Sequence, residues 1–134
     1  MYQYNYLRRK TMELCEIIDV PKALIPDFGK ENSIAHPYIE IKIPFLYLVV
    51  NENGIELERK KCCNSDQLLY LVFKKITFDM AVQYEVENRN INQDPRRVIF
   101  SYQLELMKKL SLRWNKSLKE EINNILLKAP YNDV

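Results

Sequence analysis

The stretch NSDQLLYLVFKKITFDMAVQYEVENRNINQDPRRVIFSYQLELMKKL, from Asn64 to Leu110, decides the fold. Its first half places Leu68, Leu69, Val72, Phe73, Ile76, Met80, Ala81 and Tyr84 at spacings of three and four. That period predicts a helix with one broad apolar stripe. Asn64, Ser65 and Asp66 are all residue types that cap a helix N-terminus. A short polar break, Arg89 to Gln93, interrupts the pattern. Asp94 then offers a second N-cap, followed by Pro95 at the first helical position, where a missing N–H costs nothing. Val98, Ile99, Tyr102, Leu106 and Leu110 form one apolar face of the second helix, and Phe100, Leu104 and Met107 form another. A helix apolar on two sides belongs between other elements.

Upstream of Asn64 the period changes from 3.6 to 2. Tyr38 to Ile43 alternates, with Ile39, Ile41 and Ile43 on one face. Pro44 suits a strand end, and Phe45 to Val50 is a second strand. Asn51-Glu52-Asn53-Gly54 is a hairpin signal, because Asn and Gly tolerate positive φ. Ile55 to Arg59 returns as a third strand, with Glu56 and Glu58 expected on one face and Ile55, Leu57 and Arg59 on the other. Tyr4 to Val20 reads as a first helix, stopped by Pro21. Pro26 to Lys30 reads as a turn, and His36-Pro37 opens the strand region. Downstream, Ser111 caps a last helix with Trp114, Leu118, Ile122, Ile125 and Leu126 on one stripe. Pro130 ends it, and Tyr131 to Val134 is expected to fray. The fold class is therefore α+β: a three-stranded antiparallel sheet over about residues 38–59, packed with an N-terminal helix and three C-terminal helices. At 134 residues the chain is expected to form a single domain, 1–134.

Composition narrows the function. Twenty basic residues against 18 acidic give a net charge of +2, too balanced to point to direct nucleic-acid binding. With only two glycines, a phosphate-cradling turn is not expected. No apolar run reaches the ~20 residues that span a bilayer, and MYQYNYLRRK has no apolar leader core, so a cytoplasmic location is expected. Cys15, Cys62 and Cys63 are an odd set with an adjacent pair, which reads as free thiols in a reducing compartment. Cys62-Cys63 lacks the spacing for a zinc site. The single His36 supports neither a metal centre nor a histidine-based triad. No metal, cofactor or catalytic residue is expected.

The unusual chemistry lies at the helix junction. Glu85, Asp94, Arg97, Gln103 and Glu105 stand beside large apolar residues and read as a structural polar network, with Arg97 expected to pair with Glu85 across the break. Glu87, Arg89 and Arg96 read as exposed members of the same junction. A second charged surface is the hairpin, with Glu52 at the turn and Glu56 and Glu58 roughly 7 Å apart along a rigid strand.

The run TFDMAVQYEVENRNINQDPRRVIFSYQLELMKKLSLRW, with YLVVNENGIELERK before it, resembles the immunity-63 family of bacterial polymorphic-toxin immunity proteins. The residues that carry the resemblance are Tyr84 and Glu85, then Arg89, then Asp94 with Arg96 and Arg97, then Gln103 to Leu106, and finally Trp114. It covers about residues 45 to 127. It implies a cytoplasmic, non-catalytic inhibitor whose partner is a cognate toxin domain, with a nuclease as the class of toxin that fits. Exposed carboxylates suit such a partner, because surfaces that hold phosphate are positive. Glu52, Glu56, Glu58, Glu87, Arg89 and Arg96 are then the candidate toxin-binding residues. Two other readings stand beside it: a small α+β enzyme using Glu85, Arg97 and Asp94, and a regulatory subunit that oligomerises through its sheet edge.

Overall fold

A computed structural model describes residues 2–29 and 37–134. His36 and Lys30 lie outside the described residues, so the expectations for those two positions have no structural counterpart here. The elements run α1 (Tyr2–Ile17), β1 (Asp27–Phe28), β2 (Tyr38–Lys42), β3 (Phe45–Glu52), β4 (Ile55–Cys62), α2 (Ser65–Glu87), α3 (Pro95–Leu110) and α4 (Leu112–Lys128). A single 3-10 turn, Lys22–Leu24, precedes β1. Among the described residues the fold is α+β, with four helices and a four-stranded mixed sheet of order β1-β2-β3-β4. The chain forms two compact units, Met1–Phe73 and Lys74–Val134, with the boundary inside α2.

In the first unit, α1 ends at Ile17, three residues before the expected limit. Asp19 takes a left-handed conformation (φ 52°), and the Val20 amide donates to the Cys15 carbonyl at 3.0 Å, so the helix closes before Pro21 is reached. The segment expected as a turn at Pro26 to Lys30 contains the extra strand. Asp27 and Phe28 run parallel to Tyr38 and Ile39, and the Asp27 and Gly29 amides donate to the carbonyls of Pro37 and Ile39. Two residues are too few to show a period, so only the non-local pairing defines this strand.

β2, β3 and β4 form the expected antiparallel meander. Asn53 (φ 52°) and Gly54 (φ 79°) turn the hairpin between β3 and β4, both in the left-handed region that a two-residue turn of this hand requires. Tyr38 and Ile39 are consecutive and both buried, as are Leu48 and Val49; consecutive strand residues point to opposite faces, so both faces are covered there. The side chain of Tyr4 in α1 ties to β2, its hydroxyl accepting from the Ile41 amide at 2.8 Å.

A bulge between Val50 and Asn51 changes the hairpin chemistry. Val50 stands opposite Glu58 and Asn51 opposite Glu56, leaving Leu57 as the extra residue on β4. Val50 and Asn51 face opposite ways, so Glu56 and Glu58 do too. The expected pair of carboxylates on one strand face is not formed. Glu56 instead joins Arg59, which donates to it from Nε (3.1 Å) and Nη2 (2.8 Å) and to Glu40 from Nη1 (2.6 Å). This places Glu40, Arg59 and Glu56 in one ion-pair cluster over Tyr47, whose ring centroid lies 5.2 Å from the guanidinium carbon, with Lys42 3.6 Å from Glu40.

Asn64 caps α2, its Oδ1 accepting from the Gln67 amide at 2.9 Å, while the Gln67 side chain reaches back to the Cys63 amide. In the second unit Asp94 and Ser111 cap α3 and α4 through the amides of Arg96 and Trp114. α3 buries Ile99, Phe100, Gln103, Leu106 and Met107. That is one stripe at i, i+1, i+4, i+7 and i+8, where two apolar faces were expected; Val98, Tyr102, Leu104 and Leu110 are only half-buried. α4 buries Trp114, Leu118 and Ile122, whereas Ile125 is exposed. Asn115 donates from Nδ2 to the Leu104 carbonyl at 2.8 Å, and Lys74 pairs with Glu121.

Candidate functional site

The break between α2 and α3 folds seven residues, 88–94, into turns held in part by local hydrogen bonds. The Asn88 amide donates to Tyr84 and Glu85 carbonyls, and the Asn92 amide to the Asn90 side chain. From here the charged residues sort into separate pairs. Glu85 is 2% exposed and accepts two bonds from Arg89, from Nε at 3.0 Å and Nη2 at 2.8 Å. The two are four residues apart in the chain. The Arg89 guanidinium holds the Glu85 carboxyl below its ordinary range, against the opposing effect of desolvation. Arg97 points elsewhere. Its Nε donates to both Asp133 oxygens at 3.0 and 3.1 Å. The expected Glu85–Arg97 pair is thus replaced by two others: Arg89, just past the end of α2, satisfies Glu85, and the C-terminal segment supplies a partner for Arg97.

Asp94 is the centre of the junction. Its carboxylate accepts from the Arg96 amide (3.0 Å), the Arg96 guanidinium (2.8–3.2 Å) and the Asn132 amide (2.9 Å). Its own amide donates to Asp133 at 2.8 Å. These donors, the Arg96 side chain first, hold the Asp94 carboxyl far below the usual carboxylate range. Arg96 also donates to the carbonyls of Ala129 and Pro130, both at 2.8 Å. Tyr131 lies under Arg97, with 4.2 Å from guanidinium carbon to ring centroid, and beside Phe100. The Val134 amide reaches the Asn92 carbonyl at 3.2 Å. Tyr131 to Val134, expected to fray, are therefore fastened to the junction. Arg96, expected to be exposed, is the clamp, because a planar fork can serve one carboxylate and two carbonyls at once.

The helix-to-helix tie expected of Arg97 and Glu85 is made by Gln103. Its Nε2 donates to the Lys74 carbonyl at 2.9 Å, a part-buried bond, and to the buried Thr77 hydroxyl at 3.3 Å.

Beside the clamp, α2 and α3 leave an open cleft of about 340 Å³ lined by Tyr84, Gln93, Arg97, Val98, Ser101, Tyr102 and Glu105. Tyr84 and Tyr102 stack with ring centroids 4.2 Å apart and planes at 12°. Glu105, expected in the structural network, is exposed on this cleft instead. Glu87 is exposed one turn beyond Tyr84. Glu52 is exposed at the end of β3, and Glu58 is exposed with Lys60 at 3.9 Å. Glu85 pairs with Arg89, apart from Arg97 and Asp94, which meet at Asp133 through the Arg97 side chain and the Asp94 amide. Among the described residues no group of three His, Cys, Asp or Glu is placed to hold a metal ion. No described helix is long and apolar enough to cross a membrane.

Reading the sequence missed Tyr131 and Asp133 as members of the junction. Their partners lie more than thirty residues away, and nothing in the local pattern of a short polar tail signals them. The Tyr84–Tyr102 stack was hidden in the same way, since each tyrosine was counted among apolar stripe positions.

Comparison with curated proteins and with solved structures gives no match. The family model for Immunity protein 63 matches residues 44–124, from the start of β3 through most of α4. That span holds the hairpin, the Glu85–Arg89 pair, Asp94 with its two arginines, Gln103 and the tyrosine cleft, and it stops short of the docked tail. With more than half of its length matched, this chain belongs to the Immunity protein 63 family.

Proposed function

We propose that this protein binds a cognate toxin domain and neutralises it by covering the toxin's active site, with no catalysis of its own. The observation that carries the reading is the family match over residues 44–124. Occlusion needs shape and charge complementarity rather than reactive groups. The charged groups support this: Glu85, Asp94, Arg96 and Arg97 are consumed by internal bonds, which suits a rigid scaffold presenting a preformed surface. A nuclease is the toxin class we favour, because exposed Glu52, Glu58, Glu87 and Glu105 complement a positive, phosphate-holding surface. The cytoplasm of the producing cell is the compartment where such protection is needed, and the exposed free thiol of Cys63 agrees with a reducing one.

Two surfaces compete for the toxin: the hairpin with Glu52, Glu56 and Glu58, and the helix junction with Glu87 and Arg89, where Arg96 serves as the internal clamp. The bulge weakens the first, since it separates Glu56 from Glu58 and leaves Glu56 paired with Arg59. The test is co-purification with the toxin domain encoded beside this gene. A stable complex on size exclusion is expected, and separate elution at micromolar concentrations would overturn the reading. Glu56→Lys with Glu58→Lys then sorts the surfaces: unchanged affinity in the folded double variant leaves the junction as the interface.

A further inference from the structure

The cleft between α2 and α3 has a chemistry that none of the internal bonds explains. Its lining includes a pair of stacked tyrosines, of which Tyr84 is 40% exposed. Its only cationic lining residue is Arg97, which is already held by Asp133 and covered by Tyr131. Its acidic lining residue, Glu105, has no ion pair among the described residues. Gln93 and Ser101 complete a polar rim. The unbalanced charge in the cleft is therefore negative, and it stands beside a partly exposed tyrosine pair.

An anion finds no available cation there, and an aliphatic side chain leaves the Glu105 carboxylate unanswered. A guanidinium satisfies both features. It is planar, it stacks on aromatic faces, and its fork matches a carboxylate. The volume, about 340 Å³, lies at the small end of ligand sites and suits one long side chain rather than a peptide segment. Stacked aromatics with a single oriented charge are also the residue types that dominate binding energy at protein interfaces.

We infer that this cleft is the seat for one arginine side chain of the toxin, its guanidinium lying on the Tyr84–Tyr102 stack and meeting Glu105. The inference rests on the proposed toxin-binding function and adds the anchor and its pocket. Because the cleft is formed within Lys74–Val134 by residues fixed through packing and the tail clamp, it is preformed.

The experiment has two arms. In the first, the full chain is titrated with Nα-acetyl-arginine amide and followed by amide chemical shifts. Shifts confined to the region of Tyr84, Ser101, Tyr102 and Glu105 are expected, saturating at about millimolar concentration as fits a lone side chain. The neutral isostere Nα-acetyl-citrulline amide, and the folded variant Glu105→Gln with the arginine probe, should each bind at least about tenfold more weakly. Equal responses to the two probes, or shifts that map elsewhere, overturn the inference. In the second arm, Glu105→Gln and Tyr102→Leu are tested against the neighbouring toxin domain. Loss of at least about tenfold in affinity is expected at a central anchor. If the parent binds the toxin and both folded variants bind as tightly, the cleft is not the anchor site and the proposed function stands. If the parent binds no toxin, that function fails, and the arginine titration still decides whether the cleft selects a guanidinium.

Discussion

Replacing Gln103 by Leu tests how the two central helices are held together. Gln103 is 3% exposed, and its amide nitrogen serves the Lys74 carbonyl at 2.9 Å and the Thr77 hydroxyl at 3.3 Å. A net hydrogen bond contributes about 0.5–1.5 kcal/mol, and the longer one belongs at the low end, so the two together come to about 1–2.5 kcal/mol. Leucine returns part of this through apolar burial, about 0.8 kcal/mol per buried methylene. The expected loss is about 1–2 kcal/mol, which lowers Tm by roughly 4 °C per kcal/mol in a chain of this size. Thr77→Val should cost about 1 kcal/mol, since Gln103 keeps its stronger acceptor. The double variant should then cost about 0.5–1 kcal/mol less than the sum, because the Gln103–Thr77 bond is counted in both single variants but lost only once. Urea unfolding, followed by circular dichroism and by the fluorescence of buried Trp114, measures all three. A Gln103→Leu loss below about 0.3 kcal/mol, additive with Thr77→Val, would refute a coupled buried network.

Asp133→Ala should release residues 129–134, seen as faster amide exchange at Asp94 and Asn132; unchanged protection there would mean that the tail is held without its carboxylate. Asp94, Asp133 and Glu85 all have carboxyls held below their ordinary range in the fold. Their contribution is complete above the unfolded carboxylate range and is lost as pH falls through the folded values. Stability should therefore decline below about pH 4, and Asp133→Asn should show a shallower decline than the parent. A thiol reagent at pH 8 should label Cys63 quickly while sparing Cys15 and Cys62, which are buried, with Cys15 pushed up to about 11 by desolvation. Fast labelling of a second cysteine in the native protein would contradict that placement.

The sequence carried the fold wherever local chemistry is enough. Asn53-Gly54 demands positive φ, Asp94-Pro95 starts a helix, and Ser111 restarts one, and each does so in the structure. It failed where partners are distant or where one residue changes the count. The strand at Asp27–Phe28 has no period of its own and exists only through Tyr38 and Ile39. The bulge at Val50/Asn51 sends Glu56 to the opposite face, and no residue type at that position announces it. At the junction the right residues were visible but their pairing was not. Arg97 has Glu85 and Asp94 near it in sequence and Asp133 far away, and only the folded chain shows that the distant carboxylate is its partner.

The most direct test of the central claim is an activity titration of the proposed cognate toxin domain with this protein. The account predicts that activity falls linearly with added protein and is abolished at equimolar ratio, because an occluded active site cannot turn over. Full toxin activity in the presence of excess folded protein would contradict it.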